Sequence, residues 1–278
     1  MYGKIKFAVT LLLLVTFTGL SNPSFSFSRA EKDEFKMGFL IGFTNPQNIE
    51  KKLDLVGLRG DGRAVAKNYM MQLGKNEKFI DYMVEGLIDA PFMRDFREGR
   101  INKATLAQHV MRFSYEIEAN LSMKGLLRLS DEDLKTFILI LADTFLVIEP
   151  KYCRSLAGFA PTSQLDEISS AFAMLQTMDA GTLRSYYRVT LNAMNAELND
   201  FPAVPIMNEY QVEQANLAYE NAILDRYIKS GNPAYLNALG DPDSASDYDI
   251  CRSMEFTLKV AHDLDGATGE WMRSAFFR

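Results

Sequence analysis

Apolar residues recur every three or four positions along nearly the whole of this 278-residue chain, and strict two-residue alternation rich in β-branched side chains does not occur. That period places side chains on one stripe of an α-helix, whereas a half-buried strand needs a period of two. In Ala104–Lys124 the residues Leu106, Val110, Phe113, Ile117 and Leu121 trace such a stripe, behind Asn102 as N-cap. Ser130 followed by Asp131, Glu132 and Asp133 reads as a capped start with acids in the first turn, where the helix dipole favours them. The segment it opens, Leu134 to Glu149, is apolar on all sides, which predicts a central helix closed by Pro150. Further helices are expected over 31–42, 62–73, 77–88, 91–99, 164–178, 181–198, 208–230, 247–264 and 268–277. Along 208–230 the inward face is expected from Val212, Ala215, Tyr219, Ala222 and Ile223. The fold class predicted is all-α, a compact multi-helix domain of about ten helices.

The first residues have a different character. Lys4 and Lys6 precede an apolar stretch from Phe7 to Leu20, and small polar residues with Pro23 follow. That order is the order of a secretory signal peptide, and the apolar stretch is short for a bilayer span. Small-residue pairs place cleavage between Ser26 and Ala30, so 1–30 is read as signal and 31–278 as one all-helical domain. Two halves, 31–160 and 161–278, are the alternative division, because Pro161 and Pro202 mark loops. Removing 1–30 takes away Lys4, Lys6 and Arg29 and no acid, moving the formal charge from −6 to −9. An acidic surface argues against nucleic acid and suits a cationic partner. The expected location is periplasmic or secreted, with no stable membrane span in the mature chain. There, two cysteines, Cys153 and Cys251, read as one disulfide stapling distant helices.

Few residues carry a chemical signal. Asp143 has Leu139, Ile140, Leu146 and Val147 as helical neighbours, so it is expected to be part-buried and ion-paired with Arg154 or Arg252, with a weaker reading as a catalytic acid. His262, followed by Asp263 and Asp265, is a second weak catalytic candidate, although its spacing fits no metalloprotease pattern. His109 lies beside the apolar face of its helix. Asp241, Asp243 and Asp247 are weak calcium candidates, but Ala245 stands at the third ligand position and Ser246 replaces the turn glycine. Ser246 with Asp249 reads more simply as a helix cap. Leu58 to Arg63 lacks the Gly-Lys-Ser/Thr ending of a phosphate loop, and Asp61 is expected to cap the next helix. Arg94, Arg97, Arg100 and Lys103 form a solvated basic stripe, and Asn120-Leu121-Ser122 is a glycosylation sequon inside a helix. No cofactor motif is present.

Fourteen methionines and many aromatics read chiefly as core, with a partner-facing patch expected at Phe35, Phe39, Ile41 and Phe43. The function expected is that of an exported, non-enzymatic binding protein of the cell envelope, as inhibitor, immunity-like protein or assembly factor. Its partner would be another protein. The alternative is a carboxylate-dependent hydrolase of envelope polymers, with Asp143, Glu116 or Glu149 as acids; an apolar-ligand carrier is a weaker third reading.

Overall fold

The computed structural model describes residues 28–159, 164–232 and 234–278. The expected export signal lies outside them up to residue 27, as does the loop around Pro161. The described chain is all-α, with 14 α-helices and no strand. Its contacts divide it after Asn120 into units of residues 28–120 and 121–278, and the division falls inside one long helix, α6 (Lys103–Leu126).

The first unit holds α1 (Arg29–Thr44), α2 (Pro46–Val56), α3 (Gly60–Lys75), α4 (Glu77–Ile88), α5 (Pro91–Arg97) and the larger part of α6. Ser28 and Glu31 form a capping box on α1. Asn45 ends α1 and caps α2, where Pro46 takes the first helical position that suits a residue without an N–H. Asp61 lies within the first turn of α3, whose cap position is Arg59, so the expected Asp61 cap is not formed. α1 packs on α2, α3 and α4. Phe35, Phe39 and Phe43 are buried beneath it with Met70, Leu73 and Phe79, and only Ile41 of the expected partner patch is exposed. The patch is core because these phenylalanines repeat every four residues and so face the same way.

The second unit holds α7 (Asp131–Val147), a 3₁₀ turn at Pro150–Tyr152, α8 (Cys153–Ala157), α9 (Gln164–Thr177), α10 (Ala180–Leu198), α11 (Glu209–Ser230), α12 (Ala234–Gly240), α13 (Asp247–Asp263) and α14 (Gly266–Phe276). The hub is α13, which packs on α7, α8, α11, α12 and α14 and starts from the expected cap, Ser246 Oγ accepting from the Asp249 N–H. Cys153 of α8 and Cys251 of α13 form a disulfide, with Cα atoms 5.3 Å apart and both residues buried. α7 and α8, before residue 160, pack on α13, after it, and the bridge joins α8 to α13 within this one unit. Arg273, 1% exposed, grips Asp131 at 2.5 and 2.9 Å and donates to the carbonyls of Ala261 and Leu264 at 2.9 and 2.7 Å. One guanidinium thus satisfies the open C-terminal end of α13 and ties it to the first turn of α7.

α7 is covered on most of its surface but not all. Asp143, Leu146 and Val147 are exposed, so the expected burial of Asp143 does not occur. Its cation is Lys259 at 3.8 Å, not Arg154 or Arg252. Arg154 pairs with Asp247 at 3.1 Å and donates to Pro242 and Ala245, while Arg252 donates to the Phe145 and Leu146 carbonyls at the end of α7. Both arginines satisfy backbone carbonyls that the loop and the helix end leave open, a need that outranks a distant exposed carboxylate.

Candidate functional site

α11 is a 22-residue helix of which only Ala215 and Tyr219 are buried. Asn208 and Gln211 start it with a reciprocal capping box, and Gly231, at φ 62°, ends it in the left-handed conformation that glycine adopts without strain. The chain entering it is pinned: Arg128 holds Glu197 at 2.8 Å, Asp200 at 2.5 Å and the Pro202 carbonyl at 2.9 Å, and Arg278 donates to the Pro205 carbonyl. The inner face rests on α13 and α14. There Tyr219 donates to the Thr257 carbonyl at 3.1 Å, and Arg226 pairs with Asp263.

The outer face is also apolar. Tyr210, Leu217, Leu224 and Ile228 are 63, 45, 52 and 75% exposed, and they lie on one stripe opposite Ala215 and Tyr219. With Phe201, Ile206 and Val212, residues 201–228 carry seven of the fifteen large apolar side chains exposed among the described residues. Beside the stripe, Glu209, Val212, Glu213, Asn216, Leu217 and Glu220 share one open face of the same helix. A row of exposed apolar side chains with polar residues between and beside them is a candidate interaction surface. The inward reading of this helix holds at Ala215 and Tyr219; Ala222 and Ile223 are half-buried, and Val212 is exposed, contrary to expectation. The outer stripe was legible at its seven-residue spacing, but two apolar faces on one helix leave the sequence unable to say which is covered.

Other predicted residues are placed apart. Asp143 on α7 and Glu149 after it pair with Lys259 and, at 2.6 Å, Lys151, and Glu116 on α6 pairs with Arg112 at 2.7 Å. Each of these acids therefore faces a cation. His262 Nδ1 meets Asp263 Oδ1 at 2.7 Å, but that carboxylate is shared with Arg226 as part of the α11–α13 contact. His109 stacks on Phe92, ring centroids 5.3 Å apart. In the acidic loop, Asp241 accepts from Ser244, Asp243 is exposed and Asp247 faces Arg154. No group of three or more metal-ligating side chains converges among the described residues, and none of their helices is long and apolar enough to cross a membrane.

A buried charged cluster was missed. Lys52 of α2 is 1% exposed, donates to the Gly42 carbonyl at 2.7 Å and lies 4.9 Å from the centre of the Phe43 ring. Glu118 of α6 is 2% exposed and accepts from the Tyr69 hydroxyl at 2.8 Å. Burial pushes the Glu118 carboxyl up to about 8, although the Tyr69 hydrogen bond and the charge of Lys52 pull the other way. Burial brings Lys52 down to about 7, opposed by Glu118. The hidden signal was Ser114-x-x-x-Glu118-x-x-x-Ser122, three polar residues on one buried stripe of α6 beside the apolar positions that were counted.

Set against protein-family models, curated proteins and solved structures, the chain matches none of them.

Proposed function

We propose that the protein is exported and acts without catalysis, by binding another protein on the outer face of α11. The observation that carries the reading is that stripe: four apolar side chains in line, held rigidly from behind and open in front. A docking surface built on a helix whose other face is anchored loses little freedom on binding, which favours affinity. The carboxylates considered for hydrolysis are spread over different elements and engaged by their own cations, which supports binding over chemistry. Export is supported by the charge and apolar order of residues 1–20 and by a disulfide, a bond that persists in oxidising compartments.

The test is site-specific photocrosslinking in the producing cell. A benzophenone amino acid at Leu217 is expected to yield a discrete protein adduct in the envelope or medium. The same group at Met37, which is exposed on α1, is expected to yield none. Equal labelling from both positions, or none from Leu217, overturns the reading. So does hydrolysis of cell-wall material by the purified protein.

A further inference from the structure

Resting on that binding reading, we infer that the partner presents a single amphipathic helix with a basic edge, laid alongside α11, and not a second copy of this chain. The shape of the strip comes first. Tyr210, Leu217 and Leu224 recur every seven residues and Ile228 extends the line, so the ridge is about 27 Å long at 1.5 Å per residue and one side chain wide. Positions seven apart return to the same side of a helix, so a second helix laid along α11 meets these side chains in turn, with Glu213 and Glu220 between them. A globular face would need breadth that this strip does not have.

Charge decides what kind of helix. Glu213 and Glu220 fall three residues after Tyr210 and Leu217, at the positions that share the seam with them in a paired-helix register. With Glu209 they share one edge of α11, and among the described residues none of the three has an ion pair. On the opposite edge Asp225 and Lys229 neutralise each other at 2.6 Å. The unbalanced charge is therefore one-sided and negative, and lysine or arginine on one edge of the partner would answer it.

Self-pairing fails on the same residues. A parallel two-fold arrangement sets Glu213 and Glu220 against their own copies, and an antiparallel one sets them against leucines. Both bury unpaired charge, which costs several kcal/mol per ion. An anionic lipid surface meets the same three glutamates with like charge.

The probes are two synthetic helical peptides of about three heptads, with leucine at the seam and either lysine or glutamate on the facing edge. The purified protein is expected to bind the lysine peptide about tenfold more tightly at low salt, with the gap closing at high salt. Glu213→Lys with Glu220→Lys is expected to reverse the preference, and Leu217→Asp to abolish binding of both while circular dichroism stays unchanged. A preference that ignores the charge reversal overturns the inference. It is equally overturned by self-association in sedimentation that Leu217→Asp dissolves, or by binding to phosphatidylglycerol vesicles that matches the lysine peptide. If crosslinking at Leu217 captures a protein but the peptides are not distinguished, only the helix inference falls. If Leu217 captures nothing, the binding reading falls with it.

Discussion

Lys52 is held by a carbonyl and an aromatic ring where a surface lysine would have water. Its ammonium is brought down to about 7 in the folded chain from an ordinary 10.5. Between those two pH values the unfolded chain binds more protons, so this residue makes stability rise with pH across the window, and its penalty is fully present below about 7. Glu118 has the opposite sense. Its folded value of about 8 lies above the ordinary 4.5, so it makes stability fall as pH rises from 4.5 to 8, with the penalty complete above. Lys52→Met should therefore gain most over the parent at about pH 6, on the order of 2–4 kcal/mol, and the gain should shrink steadily toward pH 10. Loss of the donor to the Gly42 carbonyl subtracts about 1–3 kcal/mol at every pH, so the slope is the decisive readout. Urea denaturation across that range measures it; a gain independent of pH would show that Lys52 titrates normally. Glu118→Gln should flatten the decline between pH 4.5 and 8 in the same series while the amide keeps an acceptor for Tyr69.

At the level of the helices, close packing sets the tolerance. Gly125 in the last turn of α6 lies so near α10 that a Cβ there would be 1.8 Å from the Ala193 carbonyl oxygen. Backbone cannot move aside as a side-chain tip can, so Gly125→Ala is expected to lower stability by about 2–4 kcal/mol despite alanine's higher helix propensity. Gly240→Ala, where a Cβ meets nothing within 4 Å, should leave the melting temperature nearly unchanged. Calorimetry on the two variants checks both; similar melting temperatures would mean α6 and α10 can separate without cost. Most helices could be read from the sequence because their ends are written in local chemistry: Asn102, Ser130, Asn208 and Ser246 each cap the helix that follows. α2 escaped because Pro46 reads as a stop, although after Asn45 it is a start. α12 and the pieces around α8 are too short for periodicity to show. Asp143 is exposed and Glu118 is buried for one reason. Each sits at the border of an apolar stripe, and the direction of that border depends on which neighbour arrives, a fact held far away in sequence.

Over the whole molecule, acidity and the disulfide are concentrated in the same unit. Residues 121–278 hold 13 Lys/Arg and 22 Asp/Glu, a net of −9, while residues 28–120 hold 15 and 14, a net of +1, so the negative field and the bridge both belong to the second unit. Cys153 and Cys251 lie 98 residues apart, and the loop they close falls wholly within residues 121–278. Closing a loop of that length restricts the unfolded chain by about 4–5 kcal/mol in the chain-entropy account. Cys153→Ser with Cys251→Ser should therefore lower the stability of this unit by an amount of that order. Trp271, the only tryptophan, sits in α14 of the same unit and reports its unfolding by fluorescence. Amide exchange gives the companion reading on residues 28–120, whose own core of Phe35, Phe39, Phe43, Met70 and Phe79 contains no part of the loop. If each unit is stabilised by its own core, the double variant loses protection in 121–278 while 28–120 keeps its slow amides. If protection falls equally in both, α6 transmits unfolding across the division and the chain behaves as one cooperative body. The α11 stripe lies on the unit that the bridge secures, so loss of the disulfide should also weaken lysine-peptide binding, and only near the temperature where Trp271 reports unfolding.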